Sequence, residues 1–573
     1  MGRHLSTILS VLLLVVLANA HPHRHRYDGL DPQCPVSITT NRQSCAAMRL
    51  VDIQRARYWY QLTDGNTKTP SQTSFLFKND IPWLNQSTDA IQYYYAIDPF
   101  ESRYMMLLAT MRNIVTEKIM PPLFQAFKSF PFVTNREYVA LHQAWNGALA
   151  QLRTQQYFAN PTQYPDFTDH STNKYWETDD AFTQRRLAGI CPIFMKKVYC
   201  DETEKRGITF ERLESVLNMR FFENFKMKIN DHVELTIEQA LADERLFVQY
   251  IDEMDDFMNS IDLTDANRTD SRQLRKVRSP IAVFILKEDG NLAVVAIQED
   301  PNNDSRVLTP SNSQAQEWLL LKAQVEQTAI QYCHGKVHLG SVHFVTTIYC
   351  LSFRRHLSTR HPLYNFFKYH CEGTVPHITL TFNSVTEKGE SIDQIFAVGA
   401  NGPRILAKKA IDERNYETFT FDGFIKGQGM DDRRIKYYPF RDDAAVLLAE
   451  YGRFAKEWVE SIYDHHNCIK DDHELQGWVA ELSDSSKGKM VGFPTTFYKK
   501  KQLETFLQRF LWYNVIHTAV NYATPEFRPV SPIKLYEDKS GIPLTLLQSL
   551  PSAFIFGNHH PAIKMLRQVQ IYC

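Results

Sequence analysis

The residues best suited to chemistry lie in one stretch, Cys333-His334-Gly335-Lys336-Val337-His338-Leu339-Gly340-Ser341-Val342-His343, inside a long apolar run with helical periodicity. Neutral imidazoles are common ligands of transition metals, so metal binding is the chemistry this cluster offers first. His334 and His338 are four apart and share a helix face. His338 and His343 are five apart, roughly 140° around an ideal α-helix, and converge on one ion only where the helix loosens into a π-turn, a deformation found mainly at functional sites. Much later, His517-Thr518-Ala519-Val520-Asn521 sets an imidazole and a carboxamide four apart on another apolar helix, a spacing that delivers both to one point. A packing reading competes with this one, because a histidine in an apolar helix is more often a satisfied core residue than a ligand. His465-His466 and His559-His560 lie beside polar or glycine-containing stretches and read as surface loop, while the His21 to His25 cluster could bind a metal loosely without any fold. The sequence holds no His-Glu-x-x-His and no Gly-x-Ser-x-Gly, which disfavours a zinc protease and a serine hydrolase.

The elements that must position these groups are mostly helical. Apolar residues recur at three- and four-residue spacing over Glu101–Ile119 and Arg212–Asn259, from Trp318 through Leu357, over Ala444–Tyr463 and over Leu503–Asn521. The clearest strand signal is Ile281–Leu286, a polar turn containing Asp289-Gly290, then Leu292–Ile297, which predicts a β-hairpin. The fold class is therefore mainly α, with a small β-hairpin or sheet subregion. No internal repeat, low-complexity tract or Gly/Ser linker cuts the chain in two.

With 573 residues, 43% of them hydrophobic, the chain can bury a large core. Lys+Arg 64 against Asp+Glu 65 gives a net charge of −1, which offers no electrostatic reason to expect nucleic acid or an anionic membrane as partner. Residues 1–20 combine Arg3, an apolar run from Ile8 to Leu17 and Ala18-Asn19-Ala20, the pattern of a secretory signal, so a secreted, extracellular protein is expected. Secretion permits disulfides among the nine cysteines. Cys34/Cys45 and Cys191/Cys200 are the expected pairs by proximity, and most of the others are expected as free buried thiols. Sequons at Asn85, Asn267 and Asn303 would make a glycoprotein of it.

The ordered segments resemble the lipoxygenases, non-haem metal dioxygenases of polyunsaturated fatty acids. The resemblance runs through Asp179-Asp180-Ala181-Phe182, Leu187-Ala188-Gly189-x-Cys191-Pro192, the hairpin Ser279–Gln298 and Trp318-Leu319-Leu320-Leu321-Lys322. It continues through His338-Leu339-x-x-x-His343, Arg355-x-Leu357-x-x-x-His361-Pro362, Tyr438-x-Phe440-Arg441-Asp442-Asp443, Asp472-x-Glu474, Gly492-Phe493-Pro494 and His517-Thr518-Ala519-Val520-Asn521-Tyr522. It covers roughly Trp176 to Pro551 in family order.

The resemblance implies a lipoxygenase-like helical catalytic domain over 151–573, continuous with an N-terminal helical region over 21–150. It implies His338, His343 and His517 as imidazole ligands, Asn521 as an oxygen ligand, and His334 as their neighbour. Non-haem iron, or manganese as in secreted fungal relatives, is the implied cofactor. The implied reaction is hydrogen abstraction from a doubly allylic methylene by a metal(III)-bound hydroxide, then addition of O2 to give a hydroperoxide. Ile330 and Thr386 fall where relatives limit pocket depth and set product stereochemistry. A monomer acting on polyunsaturated fatty acid and O2, with at most transient membrane contact and no N-terminal β-sandwich, is expected.

One departure matters. Family members end in a buried Ile or Val whose terminal carboxylate completes the metal site, whereas the sequence here ends Gln570-Ile571-Tyr572-Cys573. The expectation is that the last helices and that carboxylate are missing, with the Cys573 carboxylate or thiolate as the candidate substitute. A secreted fatty-acid-binding pseudoenzyme with an incomplete metal site is the alternative this raises, and a hydroperoxide-rearranging enzyme is a third reading.

Overall fold

The computed structural model describes residues 43–63, 92–95, 178–188, 191–200, 206–254, 278–371, 374, 398, 401–463 and 469–520. The segment expected as a signal, the helix expected at Glu101–Ile119, the sequons at Asn85 and Asn267, and the outlying histidine groups lie outside them. Asn303 is described and is exposed in a turn.

The hairpin forms as its sequence requires. Strands Ile281–Leu286 and Leu292–Gln298 pair antiparallel, and Gly290 takes the positive φ the turn demands, +90°. They belong to a six-stranded sheet ordered Val307–Leu308, Leu292–Gln298, Ile281–Leu286, Leu246–Gln249, Met195–Tyr199, Ile208–Thr209. Every residue of Ile281–Leu286 is buried, because both faces are covered. Ile281, Val283 and Ile285 pack with Leu213, Leu217 and Phe222, while Ala282, Phe284 and Leu286 pack with Phe182, Trp318, Leu321 and Val325. Strand alternation thus binds the sheet to a layer of short elements on one side and to the long helices on the other.

Helix α1 (Gln43–Trp59) precedes the sheet, as does α2 (Asp179–Ala188). Helix α3 (Ala315–Tyr332) runs without interruption into a π-helix (Cys333–Val345) and then α4 (Thr346–His356), and the residues at both junctions keep right-handed helical angles. Helices α5 (Pro362–His370), α6 (Asn401–Asp412), α7 (Pro439–Ile462), α8 (His473–Ser483) and α9 (Lys500–Val520) pack around this rod. Among the described residues no helix is long and apolar enough to cross a membrane. The fold is mainly α with a small sheet, as the periodicity predicts.

Two expectations are corrected. Arg212–Asn259 is not a long helix but short helices (Phe210–Glu214, Met219–Phe222, Ile237–Ala242) interleaved with strands that include Leu246–Gln249. Local polar groups break the helix: Asn230 Oδ1 accepts from the His232 and Val233 amides, Thr236 caps the next helix, and Glu244 turns at φ +54°. Leu246–Gln249 is then buried along its whole length as a central strand. The second correction concerns the cysteines. Cys191 bonds to Cys333, not to Cys200, which is exposed and free. The strand Met195–Tyr199 lies between Cys191 and Cys200 and carries the chain about 16 Å away, beyond the reach of a disulfide. Cys350 bonds to Cys371, because the turn after α4 lays α5 back beside it. Cys333, Cys350 and Cys371 are therefore not free thiols, and Cys34 lies outside the described residues. In the chain-entropy account, closing the 142-residue loop stabilises the fold by about 5 kcal/mol.

Buried ion pairs fix the helices. Glu326 accepts from Arg185 Nε at 2.7 Å and stands 3.2 Å from Arg186, while Asp179 accepts from Trp318 Nε1 and Lys322, each at 2.7 Å. These contacts lock α2 onto α3. Helix α1 docks against the far end of the rod: Arg49 pairs with Glu474 at 2.5 Å, and Asp52 accepts from Ser358 and Thr359. Glu474 also accepts from the Ser358 amide, and Asp472 accepts from His361 Nε2 and Tyr463 OH. The Arg355 to Pro362 segment and the Asp472-x-Glu474 segment are thus two halves of one contact.

At the end of α4, Glu481 binds His356 Nε2 at 2.8 Å and Arg355 Nε at 3.0 Å. Burial alone would raise its pKa, but the His356 hydrogen bond and the Arg355 charge outweigh it and hold the carboxyl down to about 2. A depressed carboxylate stabilises the fold above its ordinary value of 4.5 and loses that contribution as pH falls towards 2. Urea midpoints followed by circular dichroism should therefore fall more steeply across pH 4.5 to 2 in wild type than in Glu481→Gln, and equal slopes would refute the assignment.

Candidate metal centre

The π-helix Cys333–Val345 is the loosening that convergence of His338 and His343 requires. Their Nε2 atoms stand 2.9 Å apart, with ring centroids at 4.6 Å and planes tilted by 52°. Two ligands bound at right angles about 2.1 Å from one metal stand about 3.0 Å apart, so this pair has the separation of adjacent ligands on a single ion. Without an ion, the same contact is one neutral imidazole donating to the other.

On the other side of the His338 ring, its Nδ1 lies 3.0 Å from Nδ1 of His334, which is buried. With His338 Nε2 directed at a metal, its proton sits on Nδ1 and donates to His334. That hydrogen bond fixes both the tautomer and the tilt of the ring. His334 is therefore arranged as a support for His338.

Two glycines let the helix sit where it does. A Cβ on Gly335 would overlap Leu406 and come within 3.1 Å of Pro403 Cα. One on Gly340 would overlap Ala410 and stand 3.0 Å from Ala407 Cα. Helix α6 thus lies flush against the π-helix, with small residues on both sides of the contact. Ser341 Oγ donates to the Lys336 carbonyl at 3.2 Å and Thr347 Oγ1 to the His343 carbonyl at 2.8 Å, which tie side chains to the looser backbone.

Lys336 points the other way, into a cluster of charges. It pairs with Glu253 and, at 2.8 Å, with Glu413, while Lys409 stands 3.1 Å from Glu253. Burial pushes the Glu253 carboxyl up, but the Lys336 hydrogen bond and charge prevail and hold it below the ordinary range. Burial pushes the neighbouring Tyr332 hydroxyl well up, with the Glu253 charge adding to it. The lysine between His334 and His338 is thereby neutralised away from the imidazoles.

The remaining wall is apolar. Ile330, Val337, Val342, Ala444, Trp512 and Ile516 form one buried cluster with the Cys191–Cys333 disulfide. Ile330 packs within it, beside the π-helix. His517 follows Ile516 in α9. Asn521, Thr386 and Cys573 lie outside the described residues. Among the described residues no three His, Cys, Asp or Glu side chains gather on one point; the two imidazoles do. These two suit iron or manganese, which accept neutral imidazole beside oxygen donors. Sequence reasoning missed the Cys191 partner and the Lys336 network. The adjacency of Cys333 to His334 was the available signal for the first.

Replacing Gly340 with Leu forces α6 away from the π-helix and should cost about 3 kcal/mol of unfolding free energy. Amide exchange should rise in 333–345; a variant as stable and as protected as wild type would show that the close approach is not required.

Known proteins share this fold. The lipoxygenase family profile matches residues 123–544, more than half of the chain. Over 374 residues the chain is 23% identical to the allene oxide synthase-lipoxygenase protein of Plexaura homomalla, a match that covers 63% of this chain and 34% of that protein. The matched part of the chain spans from 34% to 42% of the length of such curated relatives. The crystal structure of coral 8R-lipoxygenase superposes with a TM-score of 0.61 at 17% identity, covering 91% of this chain and 72% of that one. Manganese lipoxygenase of Gaeumannomyces graminis gives 0.59 at 17% identity, over 89% and 80%. With the mainly helical fold and the profile match in agreement, the chain belongs to the lipoxygenase family.

Proposed function

We propose that this protein is a secreted dioxygenase that converts a polyunsaturated fatty acid and O2 into a fatty-acid hydroperoxide, using non-haem iron or manganese. The observation that carries this reading is the 2.9 Å approach of His338 Nε2 and His343 Nε2 within the π-helix. His338 and His343 would hold the metal, with His517 of α9 and Asn521 as the further ligands that the resemblance implies. When bound, the metal supplies the one-electron oxidation that makes a doubly allylic C–H bond breakable at ordinary temperature. His334 keeps the His338 proton on Nδ1. Ile330, Val342 and Ile516 provide apolar surface packed on the π-helix, which suits a hydrocarbon chain. Atoms balance as RH plus O2 giving ROOH. The two disulfides support an oxidising compartment, consistent with secretion.

The full chain, expressed through the secretory route with iron and manganese each supplied, should carry stoichiometric metal and form conjugated dienes from linoleate and arachidonate. His343→Ala should lose both metal and diene formation. Wild-type protein that stays metal-free would refute the proposal. Saturable fatty-acid binding without oxygen consumption would instead mark a carrier.

His334→Ala should keep the fold and weaken metal affinity by about 10- to 100-fold in chelator competition, because His338 loses the partner that orients it. Unchanged affinity would remove His334 from the site.

A further inference from the structure

We propose that the Cys191–Cys333 disulfide is the clasp that holds the π-helix in the register at which His338 and His343 converge, so that its reduction releases the metal; this rests on the metal reading above. Cys333 is the first residue of the π-helix and precedes His334 directly. Its partner sits in the turn between α2 and the strand Met195–Tyr199, with the Cα atoms 6.4 Å apart. That turn is rigid. Cys191 is held at φ +53°, a left-handed conformation that residues other than glycine seldom adopt, and the buried Tyr438 hydroxyl donates to the Pro192 carbonyl at 2.8 Å. The next residues enter the six-stranded sheet.

The start of the π-helix is therefore tied covalently to the sheet, while its far end runs into the aromatic core through Val345 and Tyr349. A π-helix is a less favourable backbone than the α-helices on either side of it, and it persists only while its surroundings hold it. If the first turn is freed, relaxation to an α-helix sets His338 and His343 roughly 140° apart and separates their Nε2 atoms. Reduction is balanced by a dithiol, which gives two electrons and two protons to the two sulfurs and becomes a cyclic disulfide. Both cysteines are buried, so the clasp stays closed until the cluster around Ile193 and Trp512 opens locally.

The test compares the full-length wild type with the double variant Cys191→Ser/Cys333→Ser. Cys350→Ser/Cys371→Ser controls for the loss of a disulfide, and Cys200→Ser for the loss of a thiol. Three quantities are read at a temperature where circular dichroism shows every protein folded: iron or manganese content, the rate of metal release into excess chelator, and amide exchange across 333–345. The clasp variant should release metal at least about tenfold faster and exchange faster in 333–345, while both controls stay near wild type. Should the clasp variant fail to fold, dithiothreitol on the folded wild type supplies the same answer: metal release should track reduction of Cys191–Cys333 by peptide mapping. Metal retained after that bond is reduced, wild-type release and exchange in the variant, or equal release from the Cys350/Cys371 control would each overturn the clasp. Wild type that never holds metal would overturn the metal reading itself and the clasp with it.

Discussion

Everything around the site depends on one backbone constraint: the helix from Ala315 to His356 must widen over Cys333–Val345 without breaking. In an ideal α-helix the five-residue spacing of His338 and His343 sends their side chains to different faces. The π-turn rotates them together, and the structure holds it from several sides. Glycine contacts let α6 press against it, the Lys336 ion pairs pull its outer face towards Glu253 and Glu413, and a disulfide holds its first residue. A strained segment survives where its neighbours over-determine it. Here the neighbours are a helix, a charge cluster and a covalent bond.

The two charged layers beside the rod serve different ends. Along α3, Glu326 and Lys322 take their partners from α2 and fix where the rod lies against the sheet. At the end of α4 and in the turn after it, Arg355, His356 and His361 take theirs from α8 and from Asp472, and fix where it ends. His356 lies below its ordinary pKa because burial outweighs the pull of Glu481. Arg57 donates to its Nδ1 at 3.2 Å, as expected for a neutral ring that donates through Nε2. Between these two anchored ends, the π-helix carries two imidazoles, His338 and His343, whose Nε2 atoms face each other.

Much of this was legible in the residues. The hairpin, the long rod and the need for a π-turn follow from period, turn chemistry and histidine spacing, all of which are local. Short-range reasoning failed where long-range partners decided the outcome. Arg212–Asn259 has helical periodicity, yet Leu246–Gln249 is a strand because Met195–Tyr199 and Ile281–Leu286 flank it. Cys191 looked nearest to Cys200 along the chain, yet its partner lies 142 residues away. The assignment of His517 and Asn521 as further ligands rests on resemblance rather than on contacts.

Helix α1 carries a consequence for the order of events during synthesis. Arg49 meets Glu474 across 425 residues, and Asp52 meets Ser358 and Thr359 across some 300. At ribosomal rates of roughly 5–20 residues per second, the arginine waits on the order of a minute for its carboxylate to be made. During that interval α1 lacks its docking face, and Ile53, buried in the folded chain, has no tertiary structure to shield it. The first helix described is therefore among the last to dock, and it waits for α8 to be made before its buried ion pair can form.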